Sequence, residues 1–389
     1  MITTPIASIT KQDIEGLVTN KVIESRYIEY KRDLPTSKGD SDFKCLAEIC
    51  AFANTDGGHI LFGVPEHQGV PIPPLGLGSI DVDQEKERLK NLIRDRIVPR
   101  LASPEMKVIW DLQNGPVLVL HIPRSWSAPH MVTGKKLSFY VRTSSGKDPM
   151  DYRQLNDAFL VRGETSRRLR QFRDERAASL LGSNIQSPIA LPSEPLALLI
   201  IYPLSACSET SFINMQNFSP RDVRLPPLGF DGGDRRYNID GYLVYYQGRG
   251  GQQLRSGYCQ LHRSGVIESA SSAVFVDTQH GRMLSIPLFE RYTVEAVKQY
   301  LASLEALEVQ LPAFVMGAIV GAKGMGRAGG YRDDHPIDRD IVTLPDVIVE
   351  DFSCDVPRTL RPLFDGVCNA CGLPGSTSYN EEGEWQARM

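Results

Sequence analysis

The chain has 389 residues, 41% hydrophobic and 23% charged, with a formal net charge of −4 at pH 7. These values describe an ordinary globular protein and exclude a fibrous, disordered or strongly polybasic one; the length suits two domains of roughly 180–200 residues. The charge is uneven, with 26 Lys and Arg against 23 Asp and Glu in residues 1–182, and 17 against 24 in residues 183–389. A basic half beside an acidic half can still focus a polyanion onto one surface.

In chain order, Thr10 is placed to cap a short helix over Asp13–Val18. Tyr27–Lys31 alternates, Ile28 and Tyr30 facing one way and Glu29 and Lys31 the other, which predicts a half-buried strand. After a polar loop, Phe43–Ala53 has the apolar stripe of an amphipathic helix, with Ser41 or Asp42 as its cap and Lys44 and Glu48 on its wet side. Asn54-Thr-Asp-Gly57-Gly58 ends that helix in a tight turn, and Ile60–Val64 follows as an apolar strand stopped by Pro65. Glu85–Ile97 predicts another helix, and Val108–Trp110 and Val117–Ile122 a hairpin through Asn114-Gly115. A basic turn at Gly134-Lys135-Lys136 leads to a strand at Phe139–Arg142, then helices at Tyr152–Leu160 and Glu164–Leu181. The order predicts an α+β fold, a mixed sheet packed with helices, over residues 1–182.

The last of these helices carries Arg162, Arg167, Arg168, Arg170, Arg173 and Arg176 around much of its circumference. It reads either as a solvated linker helix or as a phosphate-contacting one. Gly182–Pro195 is the expected linker to a second α+β domain, 183–389. Strands are expected at Leu196–Tyr202, Gly241–Tyr246, Ser256–His262, Val266–Glu268 and Ala273–Val276, with a turn at Gly248–Gly251 and a helix at Thr293–Leu307. Residues 312–348 and the tail carry no clear periodicity.

The first ten residues lack the basic start and apolar run of an export signal, and the longest apolar stretch, Leu196–Leu204, is too short to cross a bilayer. A cytoplasmic location is expected. The seven cysteines, an odd number, argue against a disulfide framework. Cys368-Asn-Ala-Cys371 has the spacing of half a zinc site, for which Cys354 or His335 would have to complete the set; free cysteines are the main expectation.

The chemistry concentrates in the first domain. Glu24 and Glu29, followed by Lys31, and a third carboxylate at Glu66 after the Gly63-Val64 strand end, would suit a hard divalent ion and a phosphodiester if a break before Tyr27 brought the acids together. Lys31 would balance the acids or hold the phosphate, and Arg32 and Arg142 are candidate backbone contacts. Asn54 is expected to pin its turn. Other schemes lack support: Gly317–Gly330 has no GxxxxGK[ST] spacing, and no GxSxG or HExxH occurs.

Glu24-x4-Glu29-Tyr-Lys31, a helix ending Ala-Phe-Ala-Asn54-Thr-Asp-Gly-Gly58, the strand end Leu-Phe-Gly63-Val64, and Phe139-Tyr-Val-Arg142-Thr-Ser-Ser together resemble the Schlafen AlbA-type domain over about residues 15–160. In animal Schlafens that domain is similar to a metal-dependent endoribonuclease acting on tRNA and rRNA through two glutamates and an aspartate. The resemblance implies Glu24, Glu29 and Glu66 as catalytic ligands of Mg²⁺ or Mn²⁺ with Lys31 beside them, Glu standing where the animal pattern has Asp. Arg32, Arg142, Arg167, Arg168, Arg170 and Arg173 are the candidate RNA contacts read from the residues themselves, and the resemblance makes tRNA the first substrate expected, in bacterial defence or stress. A homodimer is expected, because animal Schlafen nucleases close two such lobes around RNA and this chain shows one. The alternatives are a non-catalytic nucleic-acid-binding regulator and an inactive scaffold on the same domain.

Overall fold

The computed structural model describes residues 6–36, 40–101, 104–125, 127–134, 138–144, 146–182, 187–191, 195–207, 213–216, 218–247, 256–279, 281–329 and 335–386, without the side chains of residues 161 and 162. The expected turns at Lys135-Lys136 and Gly248–Gly251, and parts of the expected linker, lie outside these residues. The chain forms an α+β protein of two compact units, Met1–Glu164 and Thr165–Met389.

The first unit is built on a β–α–β element. Helix α1 (Lys11–Thr19) begins with a capping box, in which Thr10 and Asp13 satisfy each other's backbone N–H groups. Strand β1 (Ile28–Lys31) leads into helix α2 (Ser41–Ala53) and then strand β2 (Gly58–Phe62), which runs parallel to β1. Residue 40 precedes α2 as its cap position without a side-chain bond, so neither Ser41 nor Asp42 caps it. A two-strand finger, β3 (Glu66–His67) and β4 (Val70–Pro71), turns through Gln68 and Gly69, both at positive φ, the geometry of a tight twisted hairpin. Helix α3 (Val82–Arg96) and strand β5 (Ile97–Val98) follow, then the hairpin β6 (Glu105–Leu112) and β7 (Gly115–Ile122), and β8 (Met131–Val132), β9 (Ser138–Thr143) and β10 (Gly146–Pro149).

Two sheets result, ordered β1-β2-β7-β6 and β10-β9-β8-β5. Alternation along β7 sorts the core: Leu118, Leu120 and Ile122 join the α2 and α3 side, and Val117 and Val119 join Ile14 and Leu17 of α1. Helix α2 packs against strands of both sheets. Every residue from Cys45 to Ala53 is therefore buried, including Glu48, which amphipathic spacing assigns to the wet side.

Helix α4 runs unbroken over Tyr152–Leu181, where two helices were expected, and the boundary between the units falls within it rather than after Gly182. Gly163 lies inside it; an isolated glycine costs a helix only about 1 kcal/mol.

The second unit centres on an antiparallel sheet. Its strands are β11 (Leu196–Pro203), β12 (Asp234–Tyr237), β13 (Gly241–Gln247), β14 (Ser256–His262), β15 (Ile267–Ser271), then β16 (Phe275–Thr278) and β17 (Gly281–Leu284) as a separate ribbon. Helix α5 (Ile286–Ala306) precedes β18 (Ala313–Val320), β19 (Ile341–Thr343) and β20 (Val347–Val349), and helix α6 (Val356–Ala370) follows. The order is β12-β13-β14-β15-β11-β18-β19, with β20 also on β18. Leu199, Ile201 and Val315 of the sheet share a core with Val297 and Tyr300 of α5 and Leu363 and Phe364 of α6. Helix α5 starts at Ile286, ahead of the expected Thr293, because Ser285 accepts from the Leu288 N–H at 3.4 Å and Pro287 suits the first turn.

The α4 arginines of this unit are tied down at several points. Arg176 donates to both oxygens of buried Glu268, at 2.7 and 2.8 Å, and Arg173 reaches Asp346 at 2.6 Å. Burial alone would raise the Glu268 carboxyl, but His262 and Arg176 outweigh it and bring it to about 2.

Candidate functional site

The acids are gathered by two tight turns. Ser25 and Ile28 bond each other's backbone, reversing the chain just before β1. Glu24 is thereby carried back so that its Oε1 accepts from the Tyr30 N–H at 2.8 Å. The finger tip brings the third acid: the Glu24 N–H donates to the Gly69 carbonyl at 2.8 Å, and the Gly69 N–H donates to Glu66 Oε2 at 2.6 Å. Glu66 is exposed, and Glu24 is half-buried.

The electrostatics record this proximity. The Glu24 carboxyl is raised above its ordinary value, first by burial and then by the like charges of Glu29 and Glu66, while the Tyr30 N–H and Lys31 oppose the rise. Lys31 loses some basicity to burial, but Glu29, with Glu48 and Glu24, holds it above its ordinary value.

Glu29 is set more deeply than an alternating, half-exposed strand predicts, being only 6% exposed. Its Oε1 accepts from the Lys31 ammonium, and its Oε2 accepts from Arg142 Nη1 at 3.0 Å. Arg142, on β9, is buried as well; the same Nη1 donates to Glu48 Oε2 at 2.7 Å and Nη2 to the Ser25 carbonyl at 2.7 Å. Its guanidinium lies 4.4 Å from the Phe52 ring centre, and its Nε is buried without a partner among the described residues. Arg142 thus sits inside the protein as a counter-ion, away from any surface a phosphate backbone reaches. The other oxygen of Glu48 accepts from the Lys147 ammonium.

Glu48 and Lys147 belong to this site, and reading of the sequence overlooked both. The available signal is the spacing of Arg142 and Lys147 across a short hairpin. They are direct cross-strand partners on β9 and β10, and like charges so placed need a shared acid.

Other expected residues are placed as follows. Asn54 pins its turn as expected, its Nδ2 donating to the carbonyls of His130 and Tyr140 at 2.8 and 3.0 Å. Gly57 has a φ of +75°, and a Cβ on Gly58 would meet the Phe52 ring at 2.4 Å, so both are turn formers. Arg32, Arg167, Arg168 and Arg170 are exposed, Arg167 bonded to Gln171 and Arg170 to Asp346, whereas Arg173 is buried.

Three carboxylates beside a lysine have the donor chemistry of a hard-cation site, but their arrangement does not fit one. Both oxygens of Glu29 are taken by cations of the protein itself. Among the described residues, no three His, Cys, Asp or Glu side chains are grouped to hold a metal ion. The same holds for the zinc alternative: Cys354, Cys368 and Cys371 are free thiols, and burial raises Cys368 to about 12 and Cys371 to about 11.

No helix among the described residues is long and apolar enough to cross a membrane. Solved structures similar to part of the chain include the DIP2311 protein from Corynebacterium diphtheriae, at 17% identity and a TM-score of 0.25, covering 36% of this chain and 26% of that one. The N-terminal domain of a RecG-related protein from Nitrosomonas europaea is also similar, at 26% identity and a TM-score of 0.25, covering 31% of this chain and 81% of that one. No curated protein matches. The family described as Schlafen, AlbA_2 matches residues 24–151, a span that holds the two turns, all three acids, Lys31 and the Arg142 network. Residues 24–151 of this chain are thus similar to the Schlafen, AlbA_2 family.

Proposed function

We propose that the AlbA_2 domain is an endoribonuclease that hydrolyses the backbone of structured RNA, tRNA first, at the face bearing Glu24, Glu66 and Lys31. What supports this reading is the placement of Glu24, half-buried, with its Oε1 on the Tyr30 N–H at 2.8 Å and its own N–H on the finger that carries Glu66. Burial and the like charges of Glu29 and Glu66 there favour a more basic carboxylate. A carboxylate made more basic by its surroundings is a stronger proton acceptor at neutral pH. The attacking water gives its proton to Glu24 as its oxygen bonds to phosphorus. The bond to the leaving oxygen breaks, and that oxygen takes a proton from solvent. Lys31 offsets the charge gathering on the phosphoryl oxygens. Exposed Arg32 supplies a backbone contact on this face, and exposed Arg167, Arg168 and Arg170 of the second unit are contacts in their own right; Arg142 and Arg173 leave the set because they are buried.

The commitment of both Glu29 oxygens to protein cations does not fit a hard-cation site, so no step is assigned to a metal; dependence on Mg²⁺ or Mn²⁺ is read from the assay itself. Purified protein and tRNA are incubated with either ion or with chelator. Glu24→Gln should slow cleavage about 10²–10⁴-fold, the range of one general acid–base group, with tRNA affinity retained. Equal rates for Glu24→Gln and wild type would remove Glu24 from the chemistry. The commitment of both Glu29 oxygens favours a second reading, a nucleic-acid-binding regulator without cleavage. Intact tRNA under every ion condition, with binding present, would select it.

A further inference from the structure

The finger β3–β4 is a hairpin whose two tip residues, Gln68 and Gly69, sit at φ of +53° and +75°. Such a turn leaves the N–H of its second residue without a ladder partner, and a non-glycine residue at positive φ persists only where its surroundings fix it. Glu66 supplies that fixation, its Oε2 accepting from the Gly69 N–H at 2.6 Å. Gly69 in turn offers its carbonyl to the Glu24 N–H, at 2.8 Å. The tip is seated closely on this segment: a Cβ on Gly69 would lie 3.4 Å from the Ile23 side chain and 3.6 Å from the Glu24 Cβ. Glu24 is therefore held at two points, its main chain by the finger and its carboxylate by the Tyr30 N–H. Glu66 bears on the first of these, through Gly69.

We infer that Glu66 is a positioning residue: its bond to the Gly69 N–H fixes the finger tip, and the tip fixes the main chain of Glu24. What the turn needs from position 66 is an acceptor oxygen at the end of a side chain, not a negative charge. This assignment differs from the ligand role that the resemblance implies for the same residue. Its bearing on catalysis rests on the proposed nuclease, in which Glu24 takes the proton. The hold on the Glu24 main chain does not depend on cleavage.

The test uses the full chain and two replacements, Glu66→Ala and Glu66→Gln, the second of which keeps a carbonyl oxygen where the carboxylate stood. Under the ion condition in which wild type cleaves tRNA, Glu66→Ala should lower kcat about 10–100-fold with KM retained, the cost of a misplaced reacting group. Glu66→Gln should recover most of that loss. In the Glu24→Gln background, Glu66→Ala should remove little more, because residues that act as a unit are not additive. Without RNA, the Glu24 and Gly69 amides should exchange with solvent about tenfold faster in Glu66→Ala, as expected for one lost hydrogen bond to a charged group, and Glu66→Gln should restore their protection. Equal losses of kcat in the two variants, or a full further loss in the Glu24→Gln background, would show that Glu66 works by its charge or on the substrate, and would overturn the inference. Wild-type protein that cleaves no tRNA would remove the nuclease reading alone. Amide exchange would then decide the inference, and Glu24 protection unchanged by Glu66→Ala would overturn it.

Discussion

At the scale of single residues, Arg142 carries the heaviest structural duty in the first unit. It is the only cation bonded to both Glu29 and Glu48 among the described residues. Removing it leaves two carboxylates in a poorly solvated interior with only their terminal lysines. Breaking a buried charge network in this way typically costs about 3–5 kcal/mol. Arg142→Gln should therefore lower the urea midpoint sharply, and Arg142→Lys should not rescue it, because one ammonium cannot replace a planar fork stacked on Phe52. A loss below about 1 kcal/mol would mean that the network contributes little to folding. The acids at 24 and 29, Lys31 and Arg142 were visible in the sequence because their spacing is distinctive. Glu48 was not visible, since helical periodicity assumes one wet face and α2 is buried on every side from Cys45 onward. Lys147 was hidden because its importance comes from cross-strand register, which a linear pattern does not display.

At the scale of elements, strands β2 and β7 contain a built-in acid sensitivity. His59 and His121 are direct cross-strand partners, with ring centres 4.6 Å apart. Burial first, and then His121, lowers His59 to about 4, and burial lowers His121 as well. A histidine whose folded pKa is depressed stabilises the fold fully above its unfolded pKa, about 6.5, and that contribution is lost as pH falls through the folded value. For His59 the window is about 6.5 to 4, and the loss is on the order of 3 kcal/mol. Urea midpoints at pH 7.5 and 4.5 should fall more steeply for wild type than for His59→Gln; parallel falls would show that the pair does not govern acid stability. Most elements of this unit were legible within a few residues, because caps, glycines and β-branched runs mark them locally. In the second unit helix α6 was not legible, since Pro357 and Pro362 interrupt its pattern and its stability comes from the core it shares with α5. The two helices expected over Tyr152–Leu160 and Glu164–Leu181 form one unbroken α4.

At the scale of the whole molecule, the chain has one AlbA_2 domain within a half that is only modestly basic, and an acidic second half. A single such surface is a weak grip for a folded polyanion, and a two-fold pair doubles it without any new sequence. We propose a homodimer on that argument. Light scattering should give twice 43.2 kDa at micromolar concentration; a monomer mass for protein that still binds tRNA would show that one copy suffices.

The alternating run Lys31, Glu29, Arg142, Glu48, Lys147 has a consequence for how this sequence can change over generations. Its buried acids and Arg142 are satisfied through one another and the two terminal lysines, so positions 29, 31, 48, 142 and 147 do not drift independently. A single replacement strands a partner, whereas replacing a whole buried group by apolar residues of similar volume is often harmless to folding. Lineages that keep the fold should therefore either retain the set together or lose its interior members together. A chain that has traded Glu29, Glu48 and Arg142 jointly for apolar residues would still fold, but with Lys31 and Lys147 no longer anchored.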